Sequence, residues 1–547
     1  MSGSLVIRRF APLALALLAA CETGPEGAPT VPMDSMAAKP ATPESLAAFV
    51  EDRARTLAEQ PYVAPAVTTL PELAALDYDA YRSIRFRPEA ALWSGEGLFR
   101  IQLFHPGFLF DEPVRIHIVD DEVRDLPFDP GMFTYEGRAA ALADRLTNAV
   151  ASSTPSAPSL GWSGFRVHFP LNDPDRMDEV VVFQGASYFR LVGPGQVYGL
   201  SSRGLAVDVA SDRDEEFPDF REFWLVRPEP GARRLVFHAL LDAPSVTGAY
   251  RFELEPGSDT RLHVDARLFA RTDVGKLGVA PLSTMFLFDG TRVSTFDDFR
   301  TGVHDSDGLL MHTRRGEWIW RPLSNGRGLR VTSLRDVDPA GFGLAQRARD
   351  FRDYLDLEAQ YHERPSEWVE VREDERWGGG GVELLEIPTP SEFNDNIAAY
   401  WVPDAPMRAG ENRRYRYTLS TFGARLQAQT LAQVERTRVG QDALPGATDP
   451  PPGGRRRFVV DYEGGPLLGL APDAPVRATV ETLSGTISDV RARALPDAGG
   501  WRATFALEPD GDRPADMRLW IELEGSDGTR TRLSETWTYV WYPEPPR

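Results

Sequence analysis

The sequence predicts an all-β protein, a large antiparallel β-sandwich followed by a second, smaller β-sandwich. Three observations lead there. Apolar and polar residues alternate with period two through many short runs, and Gly, Pro, Asn or Asp turns bound most of these runs. Intervening helices of about 10–15 residues, which a parallel α/β sheet would require, are scarce. With 547 residues, 42% of them hydrophobic, the chain is long enough for two or more cores at roughly 100–200 residues per domain.

Taken in order, residues 1–21 read as an export signal: Arg8 and Arg9, an apolar stretch from Phe10 to Ala20, and then the only cysteine. The apolar stretch is too short for a bilayer core, which takes about 20 residues. Leu18-Ala19-Ala20-Cys21 fits a bacterial lipobox, in which the Cys21 thiol is acylated and begins the mature chain; an ordinary cleavage site beside a cysteine is the alternative. Arg8-Arg9 leaves the export route open between the general and twin-arginine systems. Residues 22–43 are rich in Pro, Gly, Ala and Thr without hydrophobic periodicity, and they read as a disordered tether.

A short amphipathic helix opens the folded part, with Thr42 or Ser45 near its cap and Leu46, Phe49, Val50 and Leu57 on one face. Strand candidates follow at 99–104, 114–119, 179–182, 222–226, 234–240, 250–254, 261–269, 284–288, 318–320, 329–334 and 382–387. They place one large sandwich over 44–421. The stretch 422–433 breaks the pattern and reads as a linker. Seven further candidates at 434–439, 456–462, 476–483, 487–492, 501–507, 517–524 and 531–541 suit an immunoglobulin-like sandwich over 434–547.

Composition excludes several functions. A formal net charge of −21 with no basic patch disfavours nucleic acid as a partner. One cysteine cannot make a disulfide, a zinc-thiolate site or a CxxC redox pair. The eight histidines show no HExxH, and the closest pair, His304 and His312, reads as structural, so neither metal nor cofactor is expected. Gly378-Gly379-Gly380-Gly381 lacks the Lys-Ser/Thr of a phosphate-binding loop and reads as a flexible loop, and no GxSxG elbow is present.

Abundant carboxylates and aromatics suit a carbohydrate cleft, where ring faces stack on aromatic side chains and charged groups bond hydroxyls. Glycoside hydrolysis needs one protonated carboxylic acid and a second group that activates water. Two acidic loops differ from routine strand connections: Thr301-Gly302-Val303-His304-Asp305-Ser306-Asp307-Gly308 and Pro390-Ser391-Glu392-Phe393-Asn394-Asp395-Asn396. By themselves they also read as ordinary Asp/Asn turns.

Longer segments carry a resemblance. They include Gly185-Ala186-Ser187-Tyr188-Phe189-Arg190, Gly195-Gln196-Val197-Tyr198-Gly199-Leu200-Ser201, Gly275-Lys276-Leu277-Gly278-Val279-Ala280-Pro281-Leu282 and Gly316-Glu317-Trp318-Ile319-Trp320-Arg321-Pro322-Leu323. Arg364-Pro365-Ser366, Glu386-Ile387-Pro388-Thr389 and Asn394-Asp395-Asn396-Ile397 extend it toward Leu533-Ser534-Glu535-Thr536-Trp537. In these segments the chain resembles the periplasmic glucan biosynthesis protein G/D family of Gram-negative bacteria. The resemblance implies a galactose-mutarotase-like sandwich joined to an immunoglobulin-like one, and work on osmoregulated periplasmic glucans with a β-1,2-linked glucose backbone. It further implies an inverting endo-β-1,2-glucanase, with a transglycosylase as the alternative within enzymes. A noncatalytic glucan-binding scaffold for an inner-membrane glucosyltransferase is the alternative outside them.

Carried over by resemblance, Asp395 aligns with the general acid, Asp305 with the base-side carboxylate, and Tyr361 with a tyrosine that assists a proton relay. Glu392 aligns with a carboxylate near the acid, either raising the acid's pKa by like charge or capping the loop. An inverting pair leaves about 6.5–9.5 Å for water, and a relay extends that reach. Phe393, a bulky apolar residue beside Asn394-Asp395, departs from what such a loop needs, and the 378–381 glycines bear on the cleft wall. The expected partners are β-1,2-glucan and an inner-membrane glucosyltransferase, with contact to a membrane only through the lipid on Cys21 and a periplasmic address.

Overall fold

Period-two burial alternation is the organising feature of the computed structural model, which describes residues 45–65, 70–152, 160–292, 296–443, 454–495 and 499–543. The export signal, Cys21, the tether and Thr42 lie outside the described residues. The opening helix is Leu46–Ala58; it buries Leu46, Val50 and Ala54, and Phe49 meets Trp224 edge-on at 6.0 Å. Ser45 precedes it without a side-chain cap. Glu222, buried beneath this helix, holds it through Arg53 at 2.6 Å. An 11-residue helix, Leu142–Ser152, was not anticipated from the sequence. Among the described residues no helix is long and apolar enough to cross a membrane.

Two extended sheets form the body. One has ten strands and runs Arg100–Phe104, Gly164–Asp173, Arg176–Gln184, Tyr188–Leu191, Ser201–Arg203, Leu277–Thr284, Ile397–Pro403, Gly379–Glu386 and Arg330–Val337, with Leu205–Val207 paired beside Leu277–Thr284. The other has fifteen strands, and its centre runs Gly308–His312, Gly341–Ala345, Ser366–Val371, Asn412–Phe422, Arg261–Ala270 and Val246–Glu255. Their inner faces meet through Phe165 against Phe223 at 5.0 Å and Phe183 against Phe252 at 5.3 Å. Interlocked rings of this kind add about 0.5–1.5 kcal/mol per pair beyond the burial of their area. The fold class is therefore all-β, as the alternation predicts, with antiparallel pairing almost throughout.

The C-terminal strands do not stand apart from this sheet. Thr536–Trp541 pairs parallel with Trp318–Pro322, in the register Ile319↔Thr536 and Trp320↔Trp537, so Ala515–Glu524 and Val476–Thr482 continue the fifteen-stranded sheet. A separate four-stranded sheet, Gln433–Gln441, Arg456–Glu463, Gly500–Glu508 and Thr486–Leu495, packs against them through Phe458 and Phe505, each 6.0 Å from Trp537. The candidate strand 531–541 divides into Arg530–Arg532 and Thr536–Trp541. The break places Glu535 inward, where the Arg347 guanidinium pairs with it at 2.5 and 3.0 Å.

The glycine run is corrected by the structure. Gly379, Gly380 and Gly381 begin the strand Gly379–Glu386 and do not form a flexible loop. A Cβ on Gly380 would lie 2.4 Å from the Val402 carbonyl oxygen and 2.5 Å from the Trp401 ring. Gly380 leaves room for the Trp401 ring against the strand, a reason of close packing that composition conceals.

Candidate active site

Local backbone pairing brings the two acidic loops together. The short strand Val303–His304 pairs with Phe286–Phe288, and the Asp305 N–H donates to the Met285 carbonyl at 2.9 Å. The next atom along, the Phe286 N–H, donates to Asn396 Oδ1 at 2.8 Å, while Asn396 Nδ2 donates to the Ile387 carbonyl at 2.9 Å. Asn396 thereby closes the loop that carries Glu392, Phe393 and Asp395.

Asp305 is buried, and Arg364 Nη1 donates to its Oδ1. Burial raises its pKa, and the charges of Arg364 and Arg190 oppose that rise. Asp395 keeps some exposed surface, yet its Oδ2 is enclosed without a hydrogen-bond partner. Its pKa is pushed up to about 7, first by burial and then by the like charge of Asp305, against the pull of Arg190 and Arg364. Two carboxylates thus share two cations, and Asp395 holds its proton up to near neutral pH.

Tyr361 donates its hydroxyl hydrogen to Glu392 Oε2 at 2.9 Å, and the same oxygen accepts from Arg300 Nη1 at 2.6 Å. The Arg364 guanidinium lies 4.3 Å from the centroid of the Tyr361 ring, which ties this pair to Asp305. Burial raises the Tyr361 pKa, so its phenol stays protonated and acts as a donor. Two roles are open to Glu392, a like charge on Asp395 or a cap of its loop. The carboxylate that raises Asp395 is Asp305, whereas the charge of Glu392 acts on Asp305 and Tyr361. Glu392 forms an ion pair with Arg300 at 2.6 Å.

Supporting residues carry no linear signal of their role. Gln346 Nε2 donates to the carbonyls of His304 at 2.9 Å and Tyr361 at 3.2 Å, fastening the two segments together. Its Oε1 lies 2.9 Å from His304 Nδ1, and burial lowers that imidazole to about 4, so the ring is neutral and donates through Nδ1. His312 stacks on Trp318 at 4.0 Å, far in role from its sequence neighbour. Arg190 donates from Nε to Ser201 Oγ at 2.8 Å. Arg190 and Arg364 lie within segments that carry the family resemblance, but only their placement beside both aspartates shows what they do.

Comparison with known proteins places the chain in a family. Residues 47–541 match the profile of the family described as periplasmic glucan biosynthesis protein, MdoG. The chain belongs to this family. A relative in Vibrio cholerae serotype O1, named glucans biosynthesis protein G, is 44% identical over 492 residues, covering 89% of this chain and 85% of the relative. One of the same name in Ralstonia nicotianae is 43% identical over 505 residues, covering 90% and 95%. Among solved structures, a galactose mutarotase related enzyme from Lactobacillus acidophilus covers 44% of this chain and 97% of its own at 7% identity and a TM-score of 0.20, a likeness too slight to bear on function. Membership of the periplasmic glucan biosynthesis family connects the chain with glucan biosynthesis and the periplasm.

Proposed function

We propose that this member of the glucan biosynthesis family is an inverting endo-β-1,2-glucanase that trims the β-1,2-glucan backbone. The observation that carries the reading is Asp395: a carboxyl group with a pKa pushed up to about 7 and one enclosed oxygen without a partner, beside an Arg-held Asp305. Asp395 donates its proton to the scissile glycosidic oxygen as the C1–O bond breaks. Water attacks C1 from the opposite face, and its proton ends on Asp305 after passing through a relay of water and sugar hydroxyl positioned by Tyr361. Glu392 orients Tyr361, and Arg300 offsets the charge of Glu392. Arg364 pairs with Asp305, the proton acceptor in this reading, and its charge opposes the rise in pKa that burial causes.

The lipobox reading extends the proposal: acylated Cys21 and the 22–43 tether hold the enzyme at a membrane surface in the periplasm, within reach of a glucosyltransferase that extrudes glucan. Incubation of the purified protein with linear β-1,2-glucan, followed by chromatography and polarimetry, tests the activity. Shorter linear products whose new reducing ends first appear as the α-anomer support it. Cyclic or branched products would assign transglycosylation, and unchanged glucan would leave a binding scaffold.

A further inference from the structure

Arg300 gathers three acidic residues from three segments. It bonds Asp298 through Nη2 at 2.7 Å, Asp356 through Nη1 at 2.9 Å and Glu392 through Nη1 at 2.6 Å. Each of these residues has a large apolar neighbour in sequence that remains exposed: Phe299 at 76%, Leu355 at 38%, Leu357 at 75% and Phe393 at 64%. The usual pattern is inverted, with charge turned inward to one guanidinium and apolar groups turned to solvent. Such clustering marks a binding surface more than scattered single residues do.

The segment that carries the two leucines is held in a costly shape. Leu355 and Gln360 have φ of 60° and 49°, in the left-handed region that side chains other than glycine seldom adopt. Asp356 Oδ1 accepts from the N–H groups of Glu358 and Ala359 at 2.9 and 2.7 Å, which fixes the turn between them. Backbone strain held this firmly presents Leu357 outward by construction.

We propose that Phe393 and Phe299, with Leu357 at their side, form a stacking platform for glucose rings of a β-linked glucan running into the candidate site. The platform is continuous with that site, because Glu392 bonds both Arg300 and the Tyr361 hydroxyl. A β-glucose ring offers flat faces of C–H bonds and no charge, which suits apolar and aromatic side chains. The surrounding charge disfavours an anionic lipid surface: Asp297, Asp298, Asp350, Asp353, Asp356 and Glu358 stand in the same segments against Arg300 and Arg352. The proposal rests on the glucanase reading for its substrate class, and it goes beyond that reading in assigning Phe393 and Phe299 to chain binding.

Binding of linear β-1,2-glucan to the full-length Asp395→Asn protein, measured by titration calorimetry, tests it without turnover. Phe299→Ala and Phe393→Ala should each weaken binding by about tenfold, and Phe393→Trp should restore it. Matched thermal melts are expected, since both rings lie outside the core. Unchanged glucan affinity in the double variant, or no glucan binding by the parent protein, overturns the platform. Pelleting with phosphatidylglycerol vesicles that is lost in the double variant, with glucan affinity unaltered, would assign the patch to lipid instead. Product release by the wild type is scored separately: glucan held through the phenylalanines but never cleaved retires hydrolysis and leaves the platform standing.

Discussion

Asp305 and Asn396 are held by opposite ends of one peptide group. The Met285 carbonyl accepts from the Asp305 N–H, and the Phe286 N–H donates to the Asn396 side chain, so the two acidic loops share a single planar, rigid unit. Their relative position is fixed by that unit more directly than by either loop's own sequence.

Asn396→Ala should therefore loosen the acid while leaving glucan binding in place. The Phe286 N–H and the Ile387 carbonyl lose their side-chain partner, a cost of about 1–3 kcal/mol in stability. We expect kcat to fall by at least tenfold with KM within about twofold, and a comparable loss in both would sink this positioning role.

Asp395→Asn should slow hydrolysis severely and stabilise the fold at alkaline pH. The native carboxyl is raised to about 7, so between its unfolded value and that pH the folded state binds the extra proton. The stability this confers is complete below the unfolded pKa and is lost as pH rises through about 7. Asparagine carries no such charge, so chemical denaturation at pH 8 should find the variant about 4 kcal/mol more stable relative to wild type than at pH 4. The loss of a general acid lowers the rate by about 10²–10⁴-fold.

The pH profile of kcat/KM should be bell-shaped. Its alkaline limb reports loss of the Asp395 proton near pH 7, and its acid limb reports Asp305, whose pKa burial raises. Because the two carboxyl groups interact, the apparent values belong to the pair. Initial rates on linear β-1,2-glucan across pH 4–9 check this, and a flat profile through pH 7–9 would remove Asp395 as the acid.

Glu392→Gln keeps the shape but removes the charge that Arg300 and Tyr361 share. The weakened contacts, charge-assisted in the native protein, should lower kcat/KM by about tenfold with little change in thermal stability, since the side chain lies at the edge of the site. Tyr361→Phe should give a similar loss, and the double variant should lose no more than the larger single effect if the two act as one unit.

Glu535→Ala tests how the C-terminal strands support the site. Glu535 is buried and accepts from Arg347, the Val434 N–H at 2.7 Å and Gln429, and Arg347 lies 3.7 Å over the Trp320 ring. The backbone N–H groups of Arg347 and Ala348 hold Asp307, two residues from Asp305, at 3.0 and 3.1 Å. Leaving Arg347 buried without its partner should cost about 3–5 kcal/mol, readable by denaturant unfolding, and should lower kcat through the displaced 305–307 segment.

The β-class was legible along the chain, because alternation of period two and turn residues are local signals that each strand carries alone. So were the acidic loops and, through long matching segments, the family. Arg190, Arg300, Arg364 and Gln346 were not legible as site residues, since a buried charge or amide is defined by partners that lie far away in the chain. Gly379, Gly380 and Gly381 read as a loop because composition cannot show that the Trp401 ring lies against Gly380 and that Asp404 and Ser333 crowd its neighbours. The parallel pairing of Trp318–Pro322 with Thr536–Trp541 was equally hidden, being a contact across more than two hundred residues. Which carboxylate raises Asp395 is a matter of three-dimensional packing: Glu392 is nearer in sequence and pairs with Arg300 and Tyr361, whereas Asp305, ninety residues away, is the carboxylate whose charge acts on Asp395, because the fold buries the two aspartates together.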